Sequence, residues 1–167
     1  MTTEMRERHR QFFAANDLFD LIGDVSRYPE FIPQITKMRL VSDDSTEDLR
    51  DFVAEVRVRY KMVAETFSTR VVADRNARTI KVSFVAGPFR ILENEWLFVP
   101  LSDGSTLVDF QIRAALKNGI LQMMLNSNRE RAARVLMGKF MAEAARRYQS
   151  VGDNEQALAE EINAIGQ

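Results

Sequence analysis

The sequence contains no cysteine and a single histidine, His9. Disulfides, thiol catalysis and cysteine-ligated metals are therefore excluded. No serine stands in a Gly-x-Ser-x-Gly setting, so a nucleophilic triad cannot be assembled either. Phosphate-loop and dinucleotide fingerprints are missing as well. We expect no catalytic residue, no metal and no required cofactor, and hence a protein that is not an enzyme.

Long apolar runs are also missing from the chain. No stretch approaches the roughly 20 apolar residues that a membrane-spanning helix needs, and the N-terminus lacks the apolar core of a signal peptide. We therefore expect a protein of the cytoplasm, with a peripheral position at the inner membrane as the alternative.

The length and composition predict one domain followed by a tail. A chain of 167 residues, 46% of them hydrophobic, is long enough to bury a core. We place a single domain at residues 1–149. Residues 150–167 contain acidic side chains but no Lys or Arg, so we expect an acidic tail that can include a short helix.

Proline is rare, and its absence between Asn118 and Gln149 predicts one long C-terminal helix. Apolar residues at spacings of mostly three or four mark the buried stripe of this helix: Leu121, Met124, Leu125, Ala132, Val135, Leu136, Phe140, Ala144 and Tyr148. The opposite face is basic and includes Arg129, Arg131 and Arg134. The stripe drifts around the helix axis, which suits a twisted, curved partner.

Between residues 38 and 116 the apolar period changes to two, which predicts six antiparallel strands in series. A further short strand is predicted at residues 8–13, after a frayed terminus at residues 1–7. One sheet face is apolar and needs cover, and the long helix is the largest apolar surface available. The predicted fold is therefore α+β, a curved antiparallel sheet of six to seven strands wrapped around the C-terminal helix, which is the helix-grip (START/Bet v-like) arrangement.

The inward face of the sheet suits a hydrophobic ligand, although a plain core has the same pattern. Tyr60 and Thr69 are polar exceptions that can donate a hydrogen bond to a ligand. The residues predicted to line a ligand cavity on the sheet and the helix are Phe52, Val56, Tyr60, Phe67, Thr69, Phe84, Trp96, Phe110, Leu121, Met124, Leu125, Leu136 and Phe140. The carboxylates of the strands, including Asp109, have the outward parity.

Two segments carry a more specific pattern. Residues 25–33 read Val-x-x-Tyr-Pro-x-Phe-x-Pro, and residues 87–92 read Gly-Pro-Phe-Arg-x-Leu, with Trp96-x-Phe98 following. Together they resemble the coenzyme Q-binding START-domain family of the polyketide cyclase/dehydrase-like, helix-grip superfamily. Many members of this family carry Trp-Cys where this chain has Gln34-Ile35. The positions that match the motifs are Tyr28, Pro29, Phe31, Pro33, Gly87, Pro88, Phe89 and Trp96.

The resemblance implies a ubiquinone-binding protein, with ubiquinone or a similar polyisoprenoid quinone as the bound ligand. Such a protein would act as a lipid chaperone in support of respiratory electron transport. It implies that Tyr28, Phe31 and Phe89 join the cavity lining. The same family includes a bacterial toxin described as blocking ribosomal subunit association, so ribosome binding and inhibition of translation form the alternative.

The first turns of the long helix are apolar on nearly every side. A surface helix needs only one apolar stripe, and the sheet can cover one side only. We therefore expect Ile120 and Met123 to lie either at a cavity mouth that meets a membrane or in a homodimer contact.

Overall fold

The computed structural model describes residues 1–166; Gln167, the last residue of the predicted tail, lies outside the described residues. The elements follow one another as β1 (Thr3–Gln11), α1 (Ala15–Gly23), a 3₁₀ helix (Val25–Glu30), β2 (Ile35–Asp43), β3 (Leu49–Tyr60), β4 (Val63–Asp74), β5 (Thr79–Ala86), β6 (Phe89–Pro100), β7 (Thr106–Leu116), α2 (Gly119–Arg147) and α3 (Ala159–Ala164). The short helix α3 falls within the predicted acidic tail.

The strands form one antiparallel sheet in the order β1-β7-β6-β5-β4-β3-β2. Strands β2 to β7 are the predicted meander, and β1 closes the far edge by pairing with β7. The register places Phe52 opposite Val71 and Trp96 opposite Phe110, so these apolar side chains share the inner face. Bulges in β2, β5 and β6 interrupt the ladders and bend the strands around α2. The predicted helix-grip fold is confirmed.

Strand β1 is longer than predicted and starts earlier, at Thr3 instead of residue 8. The expectation of a frayed terminus at residues 1–7 is wrong. Ion pairs rather than apolar alternation fix this edge, since Arg6 contacts Asp109 at 2.7 Å and Glu4 contacts Arg113 at 2.9 Å. Asp109 has the predicted outward parity, yet only 4% of it is exposed because Arg6 and Arg8 cover it.

Helix α2 begins where the sequence predicts. The Asn118 side chain accepts hydrogen bonds from the backbone N–H groups of Ile120 and Leu121 at 2.9 and 3.2 Å, which caps the helix N-terminus. The alanine that the helix buries in its middle is Ala133, whereas Ala132, which the predicted stripe contained, is exposed. The stripe residues Leu121, Met124, Leu125 and Ala132 line a cavity, whereas the neighbouring Gln122 is buried and hydrogen-bonds to Thr3 and to the backbone N–H of Leu116.

An aromatic cluster anchors the C-terminal half of α2. Phe140 is 1% exposed and lies edge-on to Tyr28, Trp96 and Phe31, with ring centroids 5.2, 5.7 and 5.8 Å apart. The ring centroids of Trp96 and Phe110 are 4.5 Å apart. Burial of these rings holds α2, the 3₁₀ helix and the sheet together at one end of the helix. The N-terminal half of α2 is left standing over a cavity.

Candidate ligand-binding cavity

The cavity lies between the N-terminal half of α2 and one end of the sheet, and its volume is about 520 Å³. This is within the range of roughly 300–1,000 Å³ for small-molecule sites. It is lined by Ile32, Gln34, Ile35, Val58, Arg59, Tyr60, Val63, Glu65, Phe67, Pro88, Phe89, Leu116, Leu121, Met124, Leu125, Asn128, Arg131, Ala132, Val135 and Leu136. Most of these side chains are apolar, so the cavity suits a largely hydrophobic molecule.

The turn between β5 and β6 builds one wall of the cavity. Gly87 has a φ of +135°, and a Cβ atom added there would lie 2.5 Å from the Cβ atom of Phe67. Only glycine therefore lets the turn lie this close to β4. The turn then directs Phe89 onto Phe67, with ring centroids 5.1 Å apart. The Gly-Pro-Phe motif thus shapes the cavity wall directly.

Polar groups are few and lie toward the rim. Gln34 borders the cavity, and its side-chain Oε1 is buried without a hydrogen-bond partner within residues 1–166. A buried acceptor left unpaired costs about 1–3 kcal/mol, so Oε1 is stabilised when a hydrogen-bond donor reaches it. The Tyr60 hydroxyl belongs to a lining residue that is half exposed. These two side chains and Asn128 of α2 are the neutral hydrogen-bonding side chains of the lining.

Seven of the residues predicted to bind a ligand line this cavity: Tyr60, Phe67, Phe89, Leu121, Met124, Leu125 and Leu136. Pro88 of the second motif lines it too. The other nine lie elsewhere in the inner layer: Tyr28, Phe31, Phe52, Val56, Thr69, Phe84, Trp96, Phe110 and Phe140. Of the two predicted hydrogen-bond donors, Tyr60 is therefore at the cavity, and Thr69 is buried outside its lining.

The residues of the first motif pack next to the cavity wall. Tyr28 packs on Phe140, and its hydroxyl donates a hydrogen bond to the carbonyl oxygen of Ile22. Burial raises the pKa of the Tyr28 hydroxyl above its ordinary value, so Tyr28 stays protonated. Pro29 lies in the 3₁₀ helix, and Pro33 precedes Gln34 and Ile35, which line the cavity. The motif thus sets the path of the chain into the cavity wall.

Sequence reasoning missed the polar and rim residues. Val58 has the inward parity of its strand, so apolar alternation could have identified it as a lining residue. Gln34 and Ile35 follow a motif directly, but nothing in their spacing places them at a cavity. Arg131 belongs to the basic face of α2, and its position beside the opening depends on how far the helix stands from the sheet. Such distances are set by packing and leave no periodic signal.

Neither a metal site nor a membrane-spanning helix is found in the described part of the chain. No group of three or more His, Asp or Glu side chains could hold a metal ion within residues 1–166. None of the helices in that range is long and apolar enough to cross a bilayer.

Comparison with known proteins identifies the family of this chain. The family model for polyketide cyclase/dehydrase and lipid transport proteins matches residues 13–141, which is most of the chain. The chain belongs to this family. The family resemblance predicted from the two motifs is confirmed, since the curated relatives of the chain include both a coenzyme Q-binding protein and ribosome association toxins.

Two curated relatives illustrate the two branches. Ribosome association toxin RatA of Rickettsia prowazekii is 30% identical over 113 residues, which cover 66% of this chain and 74% of the toxin. The mitochondrial coenzyme Q-binding protein coq10 of Schizosaccharomyces pombe is 26% identical over 139 residues, which cover 83% of this chain and 84% of that protein. The level of identity does not separate the two roles.

Solved structures agree with the fold. An 18 kDa protein from Caulobacter crescentus is 36% identical, with a TM-score of 0.72 over 87% of this chain and 97% of its own. The Zhui aromatase/cyclase from a Streptomyces species has a TM-score of 0.75 at 16% identity, over 88% of this chain and 96% of its own. The second similarity concerns the fold alone.

Proposed function

We propose that this protein binds ubiquinone or a similar polyisoprenoid quinone and carries it as a lipid chaperone, without turnover and without a required cofactor. The observation that carries the proposal is the apolar cavity of about 520 Å³ beneath the N-terminal half of α2. Its interior offers aliphatic and aromatic side chains to an isoprenoid chain. The Tyr60 hydroxyl and the side-chain N–H groups of Gln34 can donate hydrogen bonds to the oxygens of a quinone ring.

The chemistry of the cavity favours binding over catalysis. Its charged side chains, Arg59, Glu65 and Arg131, come from the rim of the sheet and from α2. General acid–base catalysis needs a group whose pKa is shifted toward the working pH. The lining offers such a reaction one carboxylate and two guanidinium groups, and the one His of the chain is on β1, outside the lining. A protein that only carries a lipid between the cytoplasm and the inner membrane needs no general acid or base.

The test is to measure quinone carried by the purified protein. Protein made in quinone-producing cells is extracted under denaturing conditions, and the extract is analysed by mass spectrometry. We expect quinone in the wild-type extract. The variant Ala132→Trp fills the cavity from α2, whereas Ala145→Trp places the same bulk on an exposed part of the same helix outside the lining. Quinone should fall with the first variant and persist with the second.

The proposed ligand is wrong if extracts of the wild-type protein contain no quinone and added quinone does not bind. It is also wrong if Ala132→Trp and Ala145→Trp retain equal amounts. Circular dichroism of both variants checks that the fold is intact, so a loss of quinone is not a loss of structure.

Ribosome binding is the second candidate, because Arg129, Arg131 and Arg134 of α2 are all exposed. Lysine and arginine contacts to phosphate dominate affinity for RNA and weaken with salt. Replacing the three arginines by Glu should then reduce co-sedimentation with ribosomal subunits and abolish any effect on subunit association. Binding that is insensitive to both salt and these charges would leave the three arginines as a solvated helix face.

A further inference from the structure

The exposed lining residues Arg59, Tyr60 and Arg131 mark the opening of the cavity, and large apolar side chains are exposed at the same end of the molecule. Met62 lies at the tip of the β3–β4 hairpin, 98% exposed, between the lining residues Tyr60 and Val63. Ile120 and Met123, on the first turns of α2, are 73% and 66% exposed, and they are sequence neighbours of lining residues. A single exposed apolar side chain is ordinary, but these three share one end of the molecule.

The same end is basic. Arg59 and Lys61 belong to the β3–β4 hairpin, and Arg90 follows the β5–β6 turn. Lys117 precedes α2, and its backbone N–H donates a hydrogen bond to the Pro88 carbonyl at 2.8 Å. Arg131 lines the cavity. All five side chains are exposed, and none makes an ion pair within residues 1–166. Glu65 is the acidic lining residue among them. The opening therefore has a net positive rim in a chain whose net charge is −1.

The opposite end of the sheet is acidic. The β2–β3 loop there contains Asp43, Asp44, Glu47 and Asp48. The acidic tail is fixed at the same end, because Glu161 accepts hydrogen bonds from the backbone N–H and the hydroxyl of Ser102 at 2.7 and 2.6 Å. Positive and negative charge are thus separated along the strands, so an anionic surface attracts the cavity end and repels the other.

We propose that the cavity end docks on an anionic lipid bilayer, with Met62 and Ile120 inserted between headgroups and the basic rim on lipid phosphates. The proposal rests on the proposed function, since docking in this orientation gives a quinone a dry path between bilayer and cavity. Apolar insertion and phosphate contact together fit a lipid surface. An RNA surface would leave Met62 and Ile120 in water, and a second copy of this end would bring two positive rims together.

The experiment measures co-sedimentation with quinone-free vesicles of phosphatidylcholine, with and without phosphatidylglycerol. We expect binding to the anionic vesicles that weakens with added salt. Removing two rim charges with Lys61→Gln and Lys117→Gln should weaken it about thirtyfold, at about 1 kcal/mol per basic residue. Met62→Ser should weaken it about tenfold, because a buried methionine is lost from the bilayer.

Matched controls come from elsewhere on the surface. Val41→Ser removes an exposed apolar side chain near the acidic end, and Lys81→Gln removes an exposed charge from the outer sheet face. Both should bind vesicles like the wild type. The proposal is overturned if the rim variants also bind like the wild type, or if anionic lipid makes no difference.

Two other occupants predict different patterns. A nucleic-acid surface would lose binding to ribosomal RNA in the lysine variants while Met62→Ser changed nothing. A homodimer contact would show as a change of mass in sedimentation when Met62 is replaced, without vesicles. Since the vesicles carry no quinone, docking and ligand are tested separately. Vesicle binding without extractable quinone overturns the ligand alone, and extractable quinone without vesicle binding overturns the docking alone.

Discussion

The two halves of α2 should respond very differently to loss of a side chain. Phe140 is fully buried against Tyr28, Phe31 and Trp96 in the C-terminal half. Phe140→Ala opens a new cavity in a packed core, which costs about 3–5 kcal/mol. At about 2–4 °C per kcal/mol for a domain of this length, the midpoint of thermal unfolding should fall by about 6–20 °C.

Leu125 lies in the N-terminal half and lines the cavity that already exists. Its side chain lacks neighbours on that side, so Leu125→Ala enlarges an open space and loses fewer contacts. We expect a cost of about 1 kcal/mol and a midpoint lowered by about 2–4 °C. Quinone retained on purification should fall all the same, because a wall of the cavity is removed. Leu125→Met, which nearly conserves volume, should retain both stability and ligand.

Thermal unfolding followed by circular dichroism gives the midpoints, and mass spectrometry of extracts gives the quinone retained. Equal destabilisation by Leu125→Ala and Phe140→Ala would refute the reasoning, since it would mean that α2 packs on the sheet along its whole length. The cavity would then be closed in solution.

Three further changes test local parts of the structure. Replacing Asn118 by Ala removes the α2 cap and should cost about 1 kcal/mol in denaturant unfolding, whereas Asp at that position should retain the cap. Gly87→Ala should destabilise by more than Gly104→Ala, because both glycines have positive φ but an added Cβ at Gly104 lies no closer than 4.0 Å to a neighbour; equal costs would remove the steric argument. Hydrogen bonds from Arg146 and then Arg147 lower the pKa of Glu143 to about 2 from 4.5, so its stabilisation is complete above pH 4.5 and is lost as the pH falls toward 2. Glu143→Gln should flatten that part of a stability–pH curve, and an unchanged curve would contradict the assignment.

Much of the fold could be predicted because it is encoded in apolar periodicity. The predicted series of strands ends at residue 116, where β7 ends, and α2 begins directly after Asn118, where the predicted helix begins. The N-terminal part of strand β1 escaped detection because its partners are charges on another strand. Glu4 and Arg6 look like a solvated terminus until Arg113 and Asp109 are placed beside them. Pairing between distant charges has no signature within a local window.

The candidate site was predicted in part for a related reason. Inward parity shows which face of the sheet a side chain lies on. It does not show which part of α2 covers that side chain. Tyr60 and Phe67 lie at the cavity, whereas Phe52 and Trp96 share their parity and are covered by other side chains. Between Leu121 and Leu136 one side of α2 faces the cavity, although Gln122 keeps the helix hydrogen-bonded to β1 and β7. That spacing results from the summed packing of many residues. The predicted ligand contacts of the buried set remain predictions.

The pairing of β1 with β7 has a consequence for how the protein is made. Thr3 lies opposite Ala114, so the first strand to leave the ribosome pairs with the last strand of the sheet. Its partner is synthesised about five to twenty seconds later at ordinary elongation rates of roughly 5–20 residues per second. During that interval β2 to β6 can pair with sequence neighbours, while β1 has unpaired backbone groups on both sides. The nascent chain is therefore most exposed to edge-to-edge association before β7 emerges. A chaperone that binds β1 would protect the chain during that interval.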